Sequence, residues 1–342
     1  MRRFFCDCGQ EIFLENRHCT QCNNSLGYEP FSGQLLTLSN RGKNWHIARS
    51  GFIVKPCHNG IQHGVCNALI DVNDPNELCL TCRLNRTIPD LSKEGNLRRW
   101  GKLEEAKRRL VYGLLKFGLP LNAPVAGFPR GLCFDFLQDK RTDPDATLEY
   151  VSTGHFNGVI TINVLEADEV QRVWQKEQSH ERYRTLLGHL RHEAGHYYYE
   201  LLVTETTSFQ RLFGDPGIPY ADALKRFYEQ GPLDGWEQNH ISAYASAHPL
   251  EDWAECFAHY LHMTDTIETA SSRGAIAPLN GNECFEDLLN IWDGLAVTLN
   301  ELNRSLGLAD AYPFVITPGI ADKLHFINDS IITLGQNFSQ PA

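Results

Sequence analysis

His192 and His196 stand four residues apart in the stretch Gly188-His-Leu-Arg-His-Glu-Ala-Gly-His-Tyr-Tyr-Tyr199, and Glu193 directly follows the first. On a helix both imidazoles then point the same way and can bind one Zn²⁺ at about 2.0–2.1 Å. Glu193, about 100° further round the helix, reaches past the ion to the water bound to it. This is the arrangement of a hydrolytic zinc site, and chance supplies only about 0.04 such matches in a chain of this composition. The apolar flanks Leu186, Leu187, Leu190, Tyr197, Tyr198 and Leu201 would bury the helix and dehydrate the site.

Such a site needs a third protein ligand, and the best stretch to supply it is Ser242-Ala-Tyr-Ala-Ser-Ala-His-Pro-Leu-Glu-Asp-Trp-Ala-Glu-Cys-Phe-Ala-His-Tyr260. Pro249 suits the first turn of a helix running to about Thr266. Glu251 and Glu255 are one turn apart on one face, where one carboxylate can bind the metal and the other can orient a ligand histidine. His259, two turns after Glu251, is the alternative ligand, and Glu251 and Asp252 also suit a helix N-terminus for purely electrostatic reasons.

The cysteines are the second constellation. Eight of the eleven lie in the first 82 residues, in the groups Cys6-x-Cys8-x10-Cys19-x2-Cys22 and Cys57-x8-Cys66-x12-Cys79-x2-Cys82. Two close pairs separated by a hairpin suit a tetrahedral Zn²⁺, and a segment of about 40 residues needs such a staple because it buries too little surface to hold itself together. His18 competes as a ligand in the first group, His58 and His63 in the second. Cys133, Cys256 and Cys284 are read as buried thiols, and Tyr197, Tyr198 and Tyr199 as core aromatics.

The surrounding elements must position these groups. Leu91 to Phe117 is rich in Leu, Lys, Arg, Glu and Ala and ends at Gly118 and Pro120, which predicts a helix with a solvated, basic face. Short β-like runs follow at Cys133–Leu137, Tyr150–Thr153 and Gly158–Val164, with Asn157-Gly158 as a two-residue hairpin turn. Residues 165–270 and 284–335 are mostly helical, so strands come first and helices after, an α+β order. The chain divides on this reading into a four-cysteine zinc ribbon (1–30), a second ribbon-like four-cysteine module (31–90), a linking helix (91–120) and an enzymatic domain (121–342).

Charge narrows the function classes. The net charge is −11 over 342 residues, but residues 1–90 carry 9 basic and 8 acidic side chains, 91–118 carry 8 and 3, and 119–342 carry 14 and 31. A body at −17 argues against sequence-independent nucleic-acid binding, which depends on neutralising phosphates. No run of 18 apolar residues would cross a membrane, and clustered thiols suit a reducing compartment, so the expected location is the cytoplasm.

The whole chain resembles a bacterial family of zinc-binding metallopeptidases with an N-terminal zinc ribbon. The resemblance is carried by Phe5-Cys-Asp-Cys-Gly, Cys82-Arg-Leu-Asn-Arg-Thr-Ile-Pro-Asp-Leu, Ala106-Lys-Arg-Arg-Leu-Val-Tyr, Gly158-Val-Ile-Thr-Ile-Asn, Tyr183-Arg-Thr-Leu-Leu-Gly-His, Arg191-His-Glu-Ala-Gly-His-Tyr-Tyr, Ser242-Ala-Tyr-Ala-Ser-Ala-His-Pro and Glu251-Asp-Trp-Ala-Glu. The catalytic half is also similar to the gluzincin proteases and locally to the catalytic domain of anthrax lethal factor. These share a His-Glu-x-Gly-His helix and a later Glu-x-[Phe/Trp]-Ala-Glu helix. The resemblance implies a zincin-like fold, with His192, His196 and Glu251 as ligands, Glu193 as base, Glu255 orienting a ligand, and Tyr244 donating to the oxyanion. Trp253 stands where phenylalanine is more usual.

The expected reaction is hydrolysis of a peptide or isopeptide bond, with His248 as a lesser oxyanion donor and the strand Val159–Val164 as an edge for an extended peptide. The implied partners are a protein or peptide substrate and a protein partner at the ribbons. The competing reading is a ribbon-based adaptor with a catalytically weak zincin scaffold. One catalytic and two structural ions predict about three Zn per chain by elemental analysis. The total should fall by one in His192→Ala, and a wild-type total of one would remove both four-cysteine assignments.

Overall fold

The first cysteine pair sits in a tight β-hairpin, β1 (Phe4–Phe5) against β2 (Glu11–Ile12), in the computed structural model, which describes residues 1–42, 44–122, 131–173, 185–203 and 206–338. An antiparallel meander follows: β3 (Ser25–Glu29), β4 (Gln34–Arg41), β5 (Asn44–Ile47), β6 (Ile53–Pro56) and β7 (Leu69–Asp71). One sheet therefore runs through both sides of position 30, since β3 pairs with β4 from Ser25–Leu38 to Glu29–Gln34. Leu38, Val54 and Leu69 form one buried cluster of its core, with Leu36, Trp45 and Ile47 against them, and Leu26, Tyr28 and Leu35 are buried as well. The neighbouring buried cluster consists mainly of Cys57, Cys66, Cys79 and Cys82 with Ala68 and Ile70, so thiols occupy the place that a larger domain fills with aliphatic side chains.

Short helices α1 (His58–His63) and α2 (Leu80–Arg83) carry the second cysteine group, and β8 (Asn85–Thr87) leads to α3 (Asn96–Lys116). The helix buries Trp100, Leu103, Leu110, Val111 and Leu114, a stripe at helical spacing. Its expected solvated face is only partly so. Glu104 and Lys107 are both 0% exposed and paired at 2.8 Å, because the Glu104 carboxylate also accepts from Trp100 Nε1 (3.0 Å) and Asn85 Nδ2 (2.7 Å). Arg108 is buried as well and donates to the Val65 carbonyl. The charges thus satisfy one another and the backbone inside the fold, the only tolerable way to bury them.

Beyond α3, β9 (Cys133–Leu137), β10 (Gly154–Phe156) and β11 (Val159–Asn163) join β8 in a sheet of order β10-β11-β9-β8. Asn157 (φ 49°) and Gly158 (φ 83°) turn the β10–β11 hairpin, both in the left-handed region that a two-residue turn of this type requires. Two expectations are corrected here. The helix stands before the later strands as expected, but it is flanked by an unexpected strand, β8, which pairs parallel with β9 across it; Asn-Arg-Thr is too short and polar to announce a strand. And β11 is paired on both sides, antiparallel to β10 and parallel to β9, so its hydrogen-bonding groups are spent and the edge next to it is β10.

These elements form one of two units, Arg2–Lys116 with Pro120–Glu169; the other comprises Val170–Ala342 with Met1 and Phe117–Leu119. The second is helical where described: α4 (Leu186–Leu202), α5 (Thr206–Phe213), α6 (Tyr220–Gln230), α7 (Pro249–Ser272), α8 (Phe285–Ser305) and α9 (Pro318–Phe338). Residues 174–184, including Tyr183 and Arg184 of the family-like stretch, lie outside the described residues. The helix α7 runs six residues past the expected end before stopping at Arg273-Gly274. Among the described residues no helix is long and apolar enough to cross a membrane.

The pairing of α4 with α7 is set by Gly195. A Cβ there would stand 2.9 Å from Ala254 Cα, 3.1 Å from Ala254 O and 3.2 Å from Phe257 Cβ. Trp253 locks the approach: its indole Nε1 donates to Gly195 O at 2.8 Å, and its ring packs among Tyr199, Phe209, Phe213, Phe257 and Phe326. Gly195→Ala should therefore cost about 1–3 kcal/mol of stability by overpacking, despite alanine's better helix propensity. Chemical denaturation of the two proteins measures this, and an unchanged or raised stability would show that the helices separate freely.

Candidate active site

Both ends of the constellation are fixed by helix capping. Thr185 caps α4 by accepting from Gly188 N (2.9 Å), and His192 and His196 then lie one turn apart on the face turned to α7. Pro249 occupies the first turn of α7, which brings Glu251 to the site within that same turn. The two Nε2 atoms are 3.2 Å apart; His192 Nε2 is 3.0 Å from Glu251 Oε2 and His196 Nε2 is 3.4 Å from Glu251 Oε1.

The Nε2–Nε2 separation and the His192–Oε2 separation are near the edge of a tetrahedron, about 3.3 Å when each donor stands about 2.0–2.1 Å from a central zinc, while His196 stands nearer to the other carboxylate oxygen. The donor chemistry fits too. Glu251 Oε2 is buried with no hydrogen-bond partner among the described residues, although it stands close to His192. Two imidazole nitrogens and a carboxylate, all electron-pair donors in their metal-binding forms, converge in a largely buried space that a cation would satisfy. The charges are arranged accordingly: burial would raise the Glu251 carboxyl, but His196 and His192 hold it well below the usual carboxylate range.

An outer ring of bonds orients the donors. His192 Nδ1 donates to Glu255 Oε1 at 2.7 Å, which leaves Nε2 with a lone pair for the site, and Ser242 Oγ donates to Glu255 Oε2 at 2.6 Å. Burial pushes Glu255 up, yet the His192 bond and charge outweigh it and hold the carboxyl at about 2. Tyr220 Oη donates to Glu251 Oε1. Neither Ser242 nor Tyr220 was assigned a role from sequence. Ser242 stands in the family-like segment without any feature of spacing to mark it, and Tyr220, 31 residues before Glu251, gives no local signal at all.

Glu193 is buried on the same helix, its Oε1 3.7 Å from His189 Nε2 and its Oε2 without a hydrogen-bond partner among the described residues. The Tyr244 ring stands 6.0 Å from the His192 ring, and burial followed by the Glu251 charge raises its hydroxyl far above its ordinary pKa, so it stays a proton donor. His248 has another task than the one expected. Its Nδ1 accepts from Leu250 N (3.1 Å) and its Nε2 bonds the Ile218 carbonyl (3.0 Å), so it caps α7 and has no nitrogen left for an oxyanion. His259, the alternative ligand, is buried against Tyr312 Oη at 2.7 Å and lies outside the donor group.

The cysteine groups converge equally well. Cys6, Cys8, Cys19 and Cys22 form one cluster and Cys57, Cys66, Cys79 and Cys82 the other. Cys6–Cys22 and Cys8–Cys19 are 3.6 Å apart and Cys66–Cys79 3.7 Å, against an edge of about 3.8 Å for zinc–sulfur bonds of about 2.3 Å. The single residue between Cys6 and Cys8 does not keep them apart. Backbone N–H groups already point at sulfur, Cys79 N to Cys57 Sγ and Ala68 N to Cys66 Sγ, both 3.4 Å. His18, His58 and His63 are in neither cluster; His63 packs its ring on Trp100. Cys133 and Cys256 are buried as expected, whereas Cys284 is exposed and caps α8 together with Asp287.

Comparison with known proteins adds identity to this geometry. A family model described as "Putative zinc-binding metallo-peptidase" matches residues 96–330, and a zinc-ribbon domain model matches residues 3–93. Uncharacterized proteins of Mycobacterium bovis and Mycobacterium tuberculosis are 36% identical over 355 aligned residues, covering 100% of this chain and 98% of theirs. No solved structure matches. With the match spanning most of the chain and the donor groups of a metal centre lying inside it, the chain belongs to this family of zinc-binding metallopeptidases, preceded by a zinc-ribbon domain.

Proposed function

We propose that the chain is a zinc-dependent peptidase of gluzincin type, with His192, His196 and Glu251 holding the catalytic ion and each four-cysteine group holding a structural one. The observation that carries the reading is the three-donor cluster with an unpartnered carboxylate oxygen of Glu193 on the same helix. Zinc bound there supplies Lewis acidity, polarising a scissile carbonyl and bringing the pKa of water to about 7.

The protein's own groups do the rest. Glu193 takes the proton of the attacking water on its free oxygen and passes it to the nitrogen of the leaving amine. Tyr244 keeps its proton and donates a hydrogen bond to the oxyanion of the tetrahedral intermediate. Glu255, itself held by Ser242, keeps His192 in the tautomer that directs Nε2 inward. The net charge of −17 over residues 119–342 favours basic or neutral peptides over acidic ones. Eight cysteines kept as metal-binding thiols suit a cytoplasmic, reducing setting, and the ribbons offer a surface for a protein partner.

Glu193→Gln should keep its full zinc content and lose cleavage of a denatured-protein or peptide library by about 10²–10⁴-fold. Equal cleavage by the two proteins, or none by either across a broad library, would favour the adaptor reading instead. For the ligands, Glu251→Ala should lose the catalytic zinc while Glu255→Ala weakens it by about 10–100-fold. The reverse ranking, read by metal competition, would exchange the two roles.

A further inference from the structure

Glu251 reaches the donor cluster with both oxygens, Oε1 standing 3.4 Å from His196 Nε2 and Oε2 nearer His192, and only Oε1 has a hydrogen-bond donor among the described residues. Tyr220 Oη donates to Oε1, whereas Oε2, facing His192 Nε2 at 3.0 Å, has no hydrogen-bond partner among the described residues. Tyr220 is not held there by chance packing. It opens α6, two residues after Ile218, whose carbonyl accepts from His248 Nε2, and its ring stands edge-on to the His248 ring at 5.1 Å. His248 in turn caps the helix that carries Glu251. The result is a closed circuit: the first turn of α7 anchors the loop that delivers Tyr220, and Tyr220 anchors the carboxylate of that same turn.

We propose that Tyr220 is a positioning residue that restricts Glu251 to ligation through Oε2. The proposal rests on the zinc reading above. A hydroxyl bound to one oxygen of a carboxylate fixes the rotation of the whole group and engages the lone pair that a second metal bond would use. Restricted to one oxygen, Glu251 leaves three protein donors and an open fourth position, the arrangement that a catalytic zinc requires and a fully closed one lacks. Glu255 does the corresponding work for His192, so the two ligands are oriented by independent partners from different parts of the chain.

Tyr220→Phe tests this cleanly, because it removes the hydroxyl while keeping the ring against His248. The dissociation constant of zinc at this site, measured in the full-length protein by competition with a chromophoric chelator, should rise about tenfold or more. The visible absorption of the Co²⁺-substituted protein should shift, while zinc in the cysteine clusters stays as in wild type. If Tyr220→Phe binds the ion as tightly as wild type with an unaltered Co²⁺ spectrum, the proposal fails, and a lowered kcat alongside would place the hydroxyl on the substrate instead. If wild type binds no more zinc than His192→Ala, the metal reading fails and takes this proposal with it.

Discussion

The site depends on how closely two helices approach. Ala254 of α7 lies where any side chain on residue 195 would have to stand, and the Trp253 indole closes the contact by bonding the Gly195 carbonyl. At that separation, Glu251 and Glu255, one turn apart, face His192 and His196, also one turn apart. Moving the helices apart by the width of a methyl group would carry the carboxylates out of reach of the imidazoles, since a donor set of this kind tolerates only a few tenths of an ångström. The motif therefore has a packing half and a chemical half, and the glycine between Glu193 and His196 belongs to the first.

Around this contact, polar side chains are buried in pairs rather than singly. Glu255 is shared by His192 and Ser242, and Glu251 is held by Tyr220. Asp252, next to Glu251 and 1% exposed, is bonded by Lys323 of α9, which also donates to the Asn239 carbonyl. Arg191, next to His192, bonds His262 and Asp265 on α7. Each such pair costs desolvation and returns directional bonds, so its net worth to stability is small while its effect on orientation is large. That balance suits a site whose side chains are held in fixed orientation.

The N-terminal unit solves a different problem with related means. Beside the small cluster of Leu38, Val54 and Leu69, the buried Cys57, Cys66, Cys79 and Cys82 stand where a larger domain would place leucines and valines. The buried Glu104–Lys107 pair of α3 extends the same economy, since Glu104 reaches Asn85 on β8 and lies 3.9 Å from Cys82 Sγ, tying the second cysteine group to the helix and the sheet.

What was legible in the sequence was what local geometry determines. Four-residue spacing puts two histidines on one helix face whatever surrounds the helix, Asn-Gly turns a hairpin, Pro249 starts a helix, and paired cysteines close turns. The resemblance to a known family supplied Glu251 and Glu255, which spacing alone left open beside His259. Tertiary structure decided the rest. Tyr220 and Ser242 meet carboxylates 31 and 13 residues away, His248 spends both nitrogens on backbone, β11 is paired on both sides, and two charges of α3 turn inward. None of these follows from periodicity, because periodicity sets which way a side chain leaves its own element, and only the packing of distant elements sets what it meets there.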